Sequence, residues 1–495
     1  MKKLALLTFL LLICSSVSLA QSEEMKALKA EMNKISNSAY LKPARWSFVV
    51  QEAETGKVII DHNADETMLP ASTMKTVTSA AALGILGEDY RFSTYLEHDG
   101  EIVDGVLKGN LFIRGGGDPT LGSERFEEQT SVESLLKNTV TIVQAKGIKR
   151  IEGRIIGDAS IFDDAIVPVN WVWNDIGNYY GAGASGLTFH ENTYYLYFEP
   201  NDTVGETAKL LRVEPEVPGI DFVNEMKTGK RGSGDQGYIY GAPYTDLRYL
   251  RGTIPQGKSE FYIKGSLPDP ALFAAQTLEM GLEEAGIEIA GKSSTMRSLK
   301  LEGQAPDAER ILLSTYRSPT LKEIVYWLNK KSVNLFAEHL LKAVGEKKLK
   351  DGSTVGGAKA VAQWWKAKGI DINGLHMEDG SGLSRYNGIT GRQLCNMLYK
   401  NIGQDYFDAF YESLPIAGDA SDPGTLRRMC KNTAAAGNVR AKSGYISRVR
   451  SYAGYVDTKS GKRLCFAMLA NNFTCKASQM RNMFADLMVK LAELP

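Results

Sequence analysis

The sequence predicts a mixed α/β (α+β) protein with one clear block of strands and helices near each end of the chain and a long insertion between the two blocks. Residues 44–61 have the pattern of a strand, a turn and a second strand, and helical spacing of apolar residues follows over 72–86. Residues 439–470 predict three further strands, and a final helix is expected from about 478 to 494. The intervening region is rich in Gly, Tyr and Asp and in short alternating segments, which favour strands.

Further helices are predicted inside the insertion and in the C-terminal third. Helical spacing marks Ser134–Lys146 and Pro270–Ala285, and each runs into a Gly-Ile pair, which is typical of a corner with glycine after the helix. An amphipathic helix or helix pair is expected over 320–345. Two segments predict irregular structure, a mobile loop at Gly229–Gly241 and a hairpin turn at Thr458–Gly461.

Length and composition limit the possible functions. A chain of 495 residues corresponds to about three domains, and an apolar fraction of 43% is normal for globular proteins. Lys+Arg and Asp+Glu both number 58, so nucleic-acid binding has no support from bulk charge. Neither a metal nor another cofactor is predicted, because none of the histidines has a partner at metal-ligand spacing. The histidines are His62, His98, His190, His339 and His376.

Residues 1–20 predict a secretory signal peptide. A charged start at Lys2-Lys3 precedes an apolar stretch over Leu4–Ile13 and a small-residue cleavage site at Ser18-Leu19-Ala20. A lipoprotein modified on Cys14 is less expected, because bulky Ile13 precedes that cysteine where such signals have a small residue. We therefore expect a periplasmic or otherwise extracytoplasmic protein without a transmembrane segment. Residues 1–20 hold two lysines and no acid, so the mature chain would carry a net charge of −2.

Four cysteines remain after the predicted cleavage, all near the C-terminal end. In an oxidising compartment they would allow one or two disulfides, but a core of this size does not need them, and buried free thiols are equally compatible with the sequence. The four residues are Cys395, Cys430, Cys465 and Cys475.

Three short motifs carry the predicted chemistry. They are Ser72-Thr73-Met74-Lys75, Ser332-Val333-Asn334 and Lys442-Ser443-Gly444. In that order they supply a serine nucleophile with a nearby amine, a hydroxyl–amide pair, and a second cation beside a hydroxyl, the residue types of a penicillin-reactive acyl transferase. On spacing alone, a solvated lysine near a helix-start serine is the commoner arrangement, so the interpretation depends on the order and context of all three motifs.

The expected local structure of the motifs suits this chemistry. Ser72 lies at the predicted first turn of a helix, where unpaired backbone N–H groups favour an oxyanion. Lys75, one turn on, can reach the Ser72 hydroxyl, and burial or a nearby cation such as Lys442 would let it act as a base. Gly444 lies in a predicted strand, where glycine is unfavourable unless something, such as a substrate strand, approaches the backbone closely.

Seven further segments accompany the three motifs. Together with them they make nearly the whole mature chain resemble the class C low-molecular-mass penicillin-binding proteins, the D-alanyl-D-alanine carboxypeptidase/endopeptidase family. The segments are Gly116–Leu121, Gly157–Phe162, Trp173–Asp175, Tyr179–Ala182, Asp379–Arg385, Leu414–Gly418 and Gly424–Leu426.

The resemblance implies a particular domain organisation. A β-lactamase/transpeptidase-like catalytic domain would be built from both chain ends, over residues 21–92 and 309–495. Two inserted, mainly β domains would lie between them, one over 93–165 and 286–308 and the other over 166–285.

The resemblance also implies roles for the residues of the motifs. Ser72 would be the nucleophile and Lys75 its base. Ser332 and Asn334 would relay protons and hold the peptide. Lys442 would help to bind the terminal carboxylate of the substrate and to protonate the leaving group.

Substrate binding is implied for four other positions. Ser443, Gly444 and Tyr445 would contact the peptide and its terminal carboxylate, and Asp158 would meet the amine of the stem peptide. Tyr445 departs from the family, which often has a hydroxyl residue there, so substrate preference at this position is open. Val333 replaces the usual Asp at a position that does not react.

The activity implied is that of a serine-type D-alanyl-D-alanine carboxypeptidase, with D,D-endopeptidase action on cross-linked peptides, working through an acyl-enzyme. Its partners would be peptidoglycan peptides and β-lactams. Two alternatives are a β-lactamase and a non-catalytic cell-wall binding or assembly protein. The large insertion and the lack of an identifiable deacylating base argue against the first, and the intact set of reactive residues argues against the second.

Overall fold

The computed structural model describes residues 23–495, apart from the side chains of residues 127 and 128. The predicted signal peptide at residues 1–20 lies outside the described residues. The described chain forms two compact units, which are interleaved in sequence. The first unit comprises the described residues up to Ile85, Val325–Ser332 and Val361–Pro495, and the second comprises Leu86–Ile324 and Val333–Ala360.

Strands of very different length occur in both units. In chain order they are β1 (Arg45–Glu52), β2 (Val58–His62), β3 (Thr67–Met68), β4 (Ser93–His98), β5 (Ile102–Val103), β6 (Val106–Leu107), β7 (Leu111–Arg114), β8 (Arg150–Ile151), β9 (Ile155–Asp158), β10 (Thr193–Glu199), β11 (Lys209–Glu214), β12 (Asp221–Asn224), β13 (Lys227–Gly229), β14 (Gln236–Tyr240), β15 (Leu247–Pro255), β16 (Phe261–Ser266), β17 (Glu288–Ile289), β18 (Ser294–Thr295), β19 (Ile311–Arg317), β20 (Ile389–Thr390), β21 (Val439–Ile446), β22 (Val449–Asp457) and β23 (Arg463–Asn471).

The helices are spread along the same chain, and three of them, α7 to α9, follow one another without a strand between them. In chain order the helices are α1 (residues 23–36), α2 (Met74–Leu86), α3 (Val132–Ala145), α4 (Trp173–Ile176), α5 (Pro270–Glu284), α6 (Met296–Leu301), α7 (Leu321–Lys331), α8 (Asn334–Leu349), α9 (Thr354–Ala367), α10 (Gly391–Asn401), α11 (Phe407–Ser413) and α12 (Ala477–Ala492).

A five-stranded antiparallel sheet organises the first unit, in the order β2-β1-β23-β22-β21. Its central strand β23 is a nearly continuous apolar run because both of its faces are covered. On one face Phe466 and Met468 pack with Phe484 of α12 and Leu28 of α1, all fully buried. On the other face α10 packs against β1, β22 and β23. The sheet therefore forms a rigid base for side chains at its β21 edge.

The second unit contains four smaller sheets. Three of them include parallel pairs, namely β18-β9-β7-β4-β19, β17-β8-β6-β5 and β12-β15-β13, in which β14 also pairs with β15. The fourth, β11-β10-β16, is antiparallel. Leu96, Ile113, Leu196 and Leu278 are among the fully buried residues of the core that these sheets share with α5.

The structure confirms most of the predicted elements and the mixed α/β class. Gly461 has φ +83° in the hairpin turn between β22 and β23, and Gly147 and Gly286 have φ +74° and +82° directly after α3 and α5. The prediction of a loop over the whole of Gly229–Gly241 is wrong in part, because its second half forms β14. Ile239 is fully buried there, and the strand gains a partner in β15.

The four described cysteines are free thiols, and Cys395 and Cys465 are buried. Within residues 23–495, none of the helices combines the length and the apolar character that a membrane-spanning helix needs.

Candidate active site

Ser72 is presented by a strained turn at the start of α2. It lies in a 3-10 turn, Ala71–Thr73, that leads directly into the α-helix at Met74, whereas the sequence predicted a helix from about Ser72. Ala71 has φ +46°, a conformation that non-glycine residues rarely adopt. The carbonyl of Pro70 holds the turn by accepting hydrogen bonds from the Thr73 hydroxyl at 2.7 Å and from the Ser451 hydroxyl.

Lys75 is fully buried and its amine contacts Ser72, as its spacing predicted. Lys75 Nζ donates to Ser72 Oγ at 3.0 Å and to the carbonyl oxygen of Ser381 at 2.7 Å. Ser381 is followed by Gly382, which has φ +84° and lies so close to Ala71 that a Cβ would stand 1.8 Å from the Ala71 carbonyl oxygen. Only glycine fits there, and this close approach brings the Ser381 carbonyl within reach of the amine.

Asp379 organises the loop that carries Ser381. Its buried carboxylate accepts hydrogen bonds from the backbone N–H groups of Gly382 and Ser384 and from the side chain of Asn387 at 2.8 Å. The sequence comparison with the family included this segment without giving it a role. Its role here is to hold a backbone acceptor beside the lysine of the first motif.

Lys442 is the second buried amine of the site. From β21 its Nζ donates to Ser332 Oγ at 2.9 Å and to the carbonyl oxygen of Ser443 at 2.8 Å. Burial, and then the charge of Lys75, hold the pKa of Lys442 well below its usual value. The two amines are therefore close enough to disfavour a state in which both are charged.

Ser332 lies between two helices and not inside one, which corrects the predicted helical setting of the second motif. Its φ is +59°, so the chain leaves α7 in a left-handed conformation before α8 begins at Asn334. Two side-chain contacts fix the end of α7: Asn329 donates to Ser413 Oγ at 2.8 Å, and Lys330 pairs with buried Asp422. These contacts place the Ser332 hydroxyl towards Lys442.

Gly444 explains why the third motif ends in glycine. A Cβ at this position would lie 2.2 Å from Ser451 Oγ, 2.8 Å from the Pro70 carbonyl oxygen and 2.9 Å from the backbone nitrogen of Ser72. The close approach that the sequence predicted therefore involves the turn that carries Ser72. Without a side chain on Gly444, β21 lies directly against that turn.

The Ser443 hydroxyl has a second hydroxyl beside it. Thr425 Oγ1 lies 2.8 Å from Ser443 Oγ, whereas Tyr445, at the position where the family often has a hydroxyl, is 54% exposed. Sequence analysis did not assign a function to Thr425, although the Gly424–Leu426 segment contributed to the resemblance.

These residues line an open cavity of about 410 Å³ in the first unit. Hydroxyls on one part of its wall come from Ser72, Ser332, Thr425 and Ser443, and Tyr445 contributes its ring. Another part of the wall carries the three arginines Arg428, Arg450 and Arg481.

Two predicted site residues belong to the second unit. Asn334 opens α8, and its side-chain amide donates to the carbonyl oxygen of Tyr180 at 2.7 Å. Asp158 ends β9, is 2% exposed, and accepts hydrogen bonds from Arg310 Nη1 at 2.7 Å and from the Ser160 backbone at 3.0 Å. Burial raises the pKa of Asp158, but Ser160 and Arg310 outweigh it and keep the pKa below its usual value. An amine from a stem peptide would have to compete with Arg310.

Comparison with known proteins places this geometry in context. The model of the family described as D-Ala-D-Ala carboxypeptidase 3 (S13) matches residues 28–494. A D-alanyl-D-alanine carboxypeptidase of Actinomadura sp. (strain R39) is 29% identical over 471 residues, which cover 91% of this chain and 82% of the relative. D-alanyl-D-alanine carboxypeptidase DacB of Haemophilus influenzae is 26% identical over 86% of this chain and 85% of its own length.

Solved structures show the same fold. The crystal structure of penicillin binding protein 4 (dacB) from Haemophilus influenzae superimposes with a TM-score of 0.77 at 24% identity, over 91% of this chain and 96% of that one. A second crystal structure of that protein, complexed with a β-lactam, gives a TM-score of 0.71 at 23% identity over 90% and 95%. The mixed fold predicted from the sequence is thus confirmed against experimental structures.

Proposed function

Because the chain belongs to the D-Ala-D-Ala carboxypeptidase 3 (S13) family, we propose that it cleaves the bond between two D-alanines of peptidoglycan stem peptides through an acyl-enzyme on Ser72. One observation carries the proposal: the amine of Lys75, fully buried, lies 3.0 Å from Ser72 Oγ. An amine in that position can accept the serine proton when it is neutral, and the nearby amine of Lys442 disfavours a state in which both lysines are charged.

In the acylation step, Lys75 takes the proton of Ser72 while Oγ attacks the carbonyl carbon between the two D-alanines. The backbone N–H groups of Ser72 and Tyr445 stabilise the oxyanion, and each such donor contributes on the order of 3 kcal/mol. The absence of a side chain on Gly444 supports this assignment, since β21 then lies close to the Ser72 backbone nitrogen.

The leaving group needs a proton as the amide C–N bond breaks. The hydrogen bond between Ser332 Oγ and Lys442 Nζ supplies a relay from Lys75 to the departing amine, so that terminal D-alanine leaves as a neutral amine. Water then attacks the ester, its hydroxyl stays on the carbonyl carbon, and its proton returns to Ser72. The products are the shortened peptide and free enzyme.

Recognition of the terminal carboxylate falls to the hydroxyls beside β21. Ser443 Oγ and Thr425 Oγ1 form a pair of donors next to the Lys442 amine, a setting that suits a carboxylate. When a cross-linked peptide bond occupies the same groove, the same steps amount to endopeptidase action.

The remaining assignments belong to the same proposal. Asn334 holds the peptide, and Asp158 contributes to recognition of the stem-peptide amine. Replacing Asp158 with Ala should lower kcat/KM on peptides that carry a free diamino-acid amine by roughly tenfold, while N-acetylated peptides are affected much less. Equal losses on both substrates would assign Asp158 to its Arg310 ion pair alone.

Export is also part of the proposal. If residues 1–20 are a signal peptide, the protein recovered from the extracytoplasmic fraction should begin at Gln21, which N-terminal mass analysis would show. A protein that keeps residues 1–20 in the cytoplasm would contradict this.

The decisive experiment is the intact mass of the mature protein after incubation with benzylpenicillin, with Ser72→Ala as the control. A stable adduct of one penicillin on wild type, absent from the variant, supports the proposed function. Destruction of the drug without an adduct would indicate a β-lactamase. An intact drug without an adduct would favour a non-catalytic binding protein.

A further inference from the structure

We propose that the active-site cavity contains a second anion-binding subsite, formed by Arg428, Arg450 and Arg481, that takes an additional carboxylate on the leaving group. The inference rests on the proposed function, because it assigns these arginines to the leaving side of the same reaction. The substrates that this subsite favours are peptides whose released half carries an extra carboxylate, such as cross-linked stem peptides.

The three arginines converge from separate parts of the first unit. Arg428 belongs to the segment between α11 and β21, Arg450 to β22 and Arg481 to α12. All three line the same cavity of about 410 Å³ as Ser72 and Ser443. Their convergence is therefore a property of the folded cavity and not of one basic stretch of sequence.

The charge of this cluster is not compensated. None of the three arginines forms an ion pair with an acidic side chain within the part of the chain that the structure describes. Other arginines of the same unit are paired, Arg392 with Asp61 and Asp65, for example. No described residue lining the cavity is acidic. A cavity wall with three unpaired cations and no anion is arranged to bind a negatively charged group.

Arg450 is held in place without being neutralised. Its guanidinium lies 5.2 Å from the centre of the Tyr445 ring and 5.6 Å from that of Tyr452. Aromatic faces orient a guanidinium but leave its N–H groups available. Its Nε is buried and has no hydrogen-bond partner among the described residues. An anion in the cavity would supply what this group lacks, since a buried unsatisfied donor is costly.

The position of the cluster indicates the leaving side. The terminal carboxylate next to the scissile bond has the hydroxyls of Ser443 and Thr425 as its proposed partners, so one carboxylate is already accounted for. The exposed ring of Tyr445 follows Ser443 on β21 and stacks with Arg450. A leaving group that extends past Tyr445 therefore reaches the arginines. Free D-alanine has only one carboxylate, whereas the released half of a cross-linked peptide carries more.

The test compares two synthetic substrates that differ by one charge, diacetyl-L-Lys-D-Ala-D-Glu and diacetyl-L-Lys-D-Ala-D-Gln. The wild-type protein should cleave the D-Glu peptide with a kcat/KM at least tenfold higher than the isosteric D-Gln peptide. Because the preference is electrostatic, 0.5 M salt should reduce it several-fold.

Variants identify the residues responsible. Replacing Arg428, Arg450 or Arg481 with Gln should lower the D-Glu to D-Gln ratio, and the triple variant should bring it close to one. Arg450→Lys, which keeps the charge, should restore part of the ratio. Arg427→Gln and Arg448→Gln are matched controls, because these neighbours in sequence do not line the cavity and should retain the wild-type ratio.

Three results would overturn the subsite. A wild-type ratio near one, with both peptides cleaved, would do so without any variant and would leave the proposed function intact. Equal losses on both peptides in the arginine variants would mean that the arginines bind the carboxylate common to both. Failure of the wild type to cleave either peptide or to be acylated by benzylpenicillin would remove the proposed function and the subsite together.

Discussion

Lys442 Nζ donates to Ser332 Oγ at 2.9 Å, and it does so from a position with no solvent exposure. The serine is held by a left-handed backbone at the break between α7 and α8, and the lysine by the edge strand of the sheet. Two residues that are 110 positions apart thus share one hydrogen bond, and its donor is an amine that folding disfavours in its charged form.

Replacing Lys442 with Met should reduce penicillin acylation by about 10²-fold or more, since a positioned proton-transfer group contributes that much. The same change should make the free energy of unfolding less dependent on pH. Burial, followed by the charge of Lys75, lowers the folded-state pKa of Lys442 below the ordinary value of 10.5. The free energy of unfolding of the wild type should therefore decrease as the pH falls from about 10.5 towards the folded-state pKa of Lys442. The Met variant has no amine at this position, so its free energy of unfolding should not contain this contribution.

Urea unfolding at several pH values measures this difference, and stopped-flow acylation measures the rate. Lys459→Met is a suitable control, because Lys459 begins another Lys-Ser-Gly tripeptide, residues 459–461, which lies in the hairpin turn between β22 and β23. A Lys442→Met protein that is acylated at the wild-type rate would exclude Lys442 from the mechanism.

Replacing Gly444 with Ala should lower acylation at least tenfold and destabilise the protein by about 1–3 kcal/mol, the range for overpacking. The new Cβ would stand 2.2 Å from Ser451 Oγ and 2.9 Å from the Ser72 nitrogen, so β21 and the turn that carries Ser72 must separate. Gly461→Ala is the matched control. Gly461 also ends a Lys-Ser-Gly tripeptide, residues 459–461, but a Cβ there would meet no atom within 4 Å, and its φ is +83°. This substitution should cost about 1 kcal/mol through strain and leave acylation unchanged. If both variants lost acylation equally, the close contact would not be the cause.

Replacing Asp379 with Ala should destabilise the protein by roughly 3 kcal/mol and slow acylation. The change leaves buried N–H donors of Gly382, Ser384 and Asn387 without their acceptor, and it releases the loop that holds a carbonyl beside Lys75. Asp371→Ala, which removes an exposed carboxylate that also accepts a backbone N–H, should cost less than 1 kcal/mol. Thermal unfolding and acylation rates test both, and an Asp379 variant as stable and as reactive as wild type would contradict this account.

His339 should make the second unit sensitive to acid. It is fully buried, Nδ1 donates to the Gly117 carbonyl at 2.9 Å, and Nε2 lies 2.7 Å from Thr188 Oγ1. Burial, with a smaller contribution from the charge of Lys342, lowers its pKa to about 3. Because this lies below the unfolded value of 6.5, stability present above pH 6.5 is lost as the pH falls towards about 3.

The size of this effect can be isolated with a variant. Between pH 7 and pH 4.5, wild type should lose roughly 2–3 kcal/mol more than His339→Gln. The difference between the two proteins is the relevant quantity, because Asp118, whose pKa burial raises to about 6, contributes with the opposite sign between about pH 6 and 3.8. Exposed His376→Gln should unfold like wild type at both pH values. If wild type and His339→Gln lost the same free energy of unfolding between the two pH values, His339 would not be the source of the acid sensitivity.

The sequence predicted the parts of the site that depend on local spacing. Ser72 and Lys75 are one helical turn apart, and their contact follows from helix geometry alone. The broad fold was also predictable, because the long strands at both chain ends have clear apolar patterns. The break between α7 and α8 at Ser332 could not be predicted, because the apolar spacing continues into α8. The left-handed backbone of Ser332 could not be predicted either, because only glycine, and to a lesser degree asparagine, indicates that conformation in a sequence.

Other features could be found only in three dimensions. The hydrogen-bond acceptor for Lys75 is the backbone carbonyl of Ser381. Every residue has such a carbonyl, so no side chain in the sequence indicates it. The sequence signal nearest to it is Gly382, a position where only glycine fits. The arginine cluster is assembled from a loop, a strand and a helix, so no window of sequence contains it.

The order of strands in the first unit has a consequence for the synthesis of the protein. β23, which follows every other strand of this sheet in the described chain, lies in the middle of the sheet, between β1 and β22. A nascent chain that has passed Lys442 but not reached Asn471 already contains Ser72, Lys75 and the Ser332–Lys442 pair. It still lacks the strand that joins the N-terminal part of the sheet to the β21 edge. Acylation by penicillin should therefore become possible only after β23 has been synthesised and has joined the sheet. A chain that ends before β23 should contain all of the reactive residues but no assembled active site.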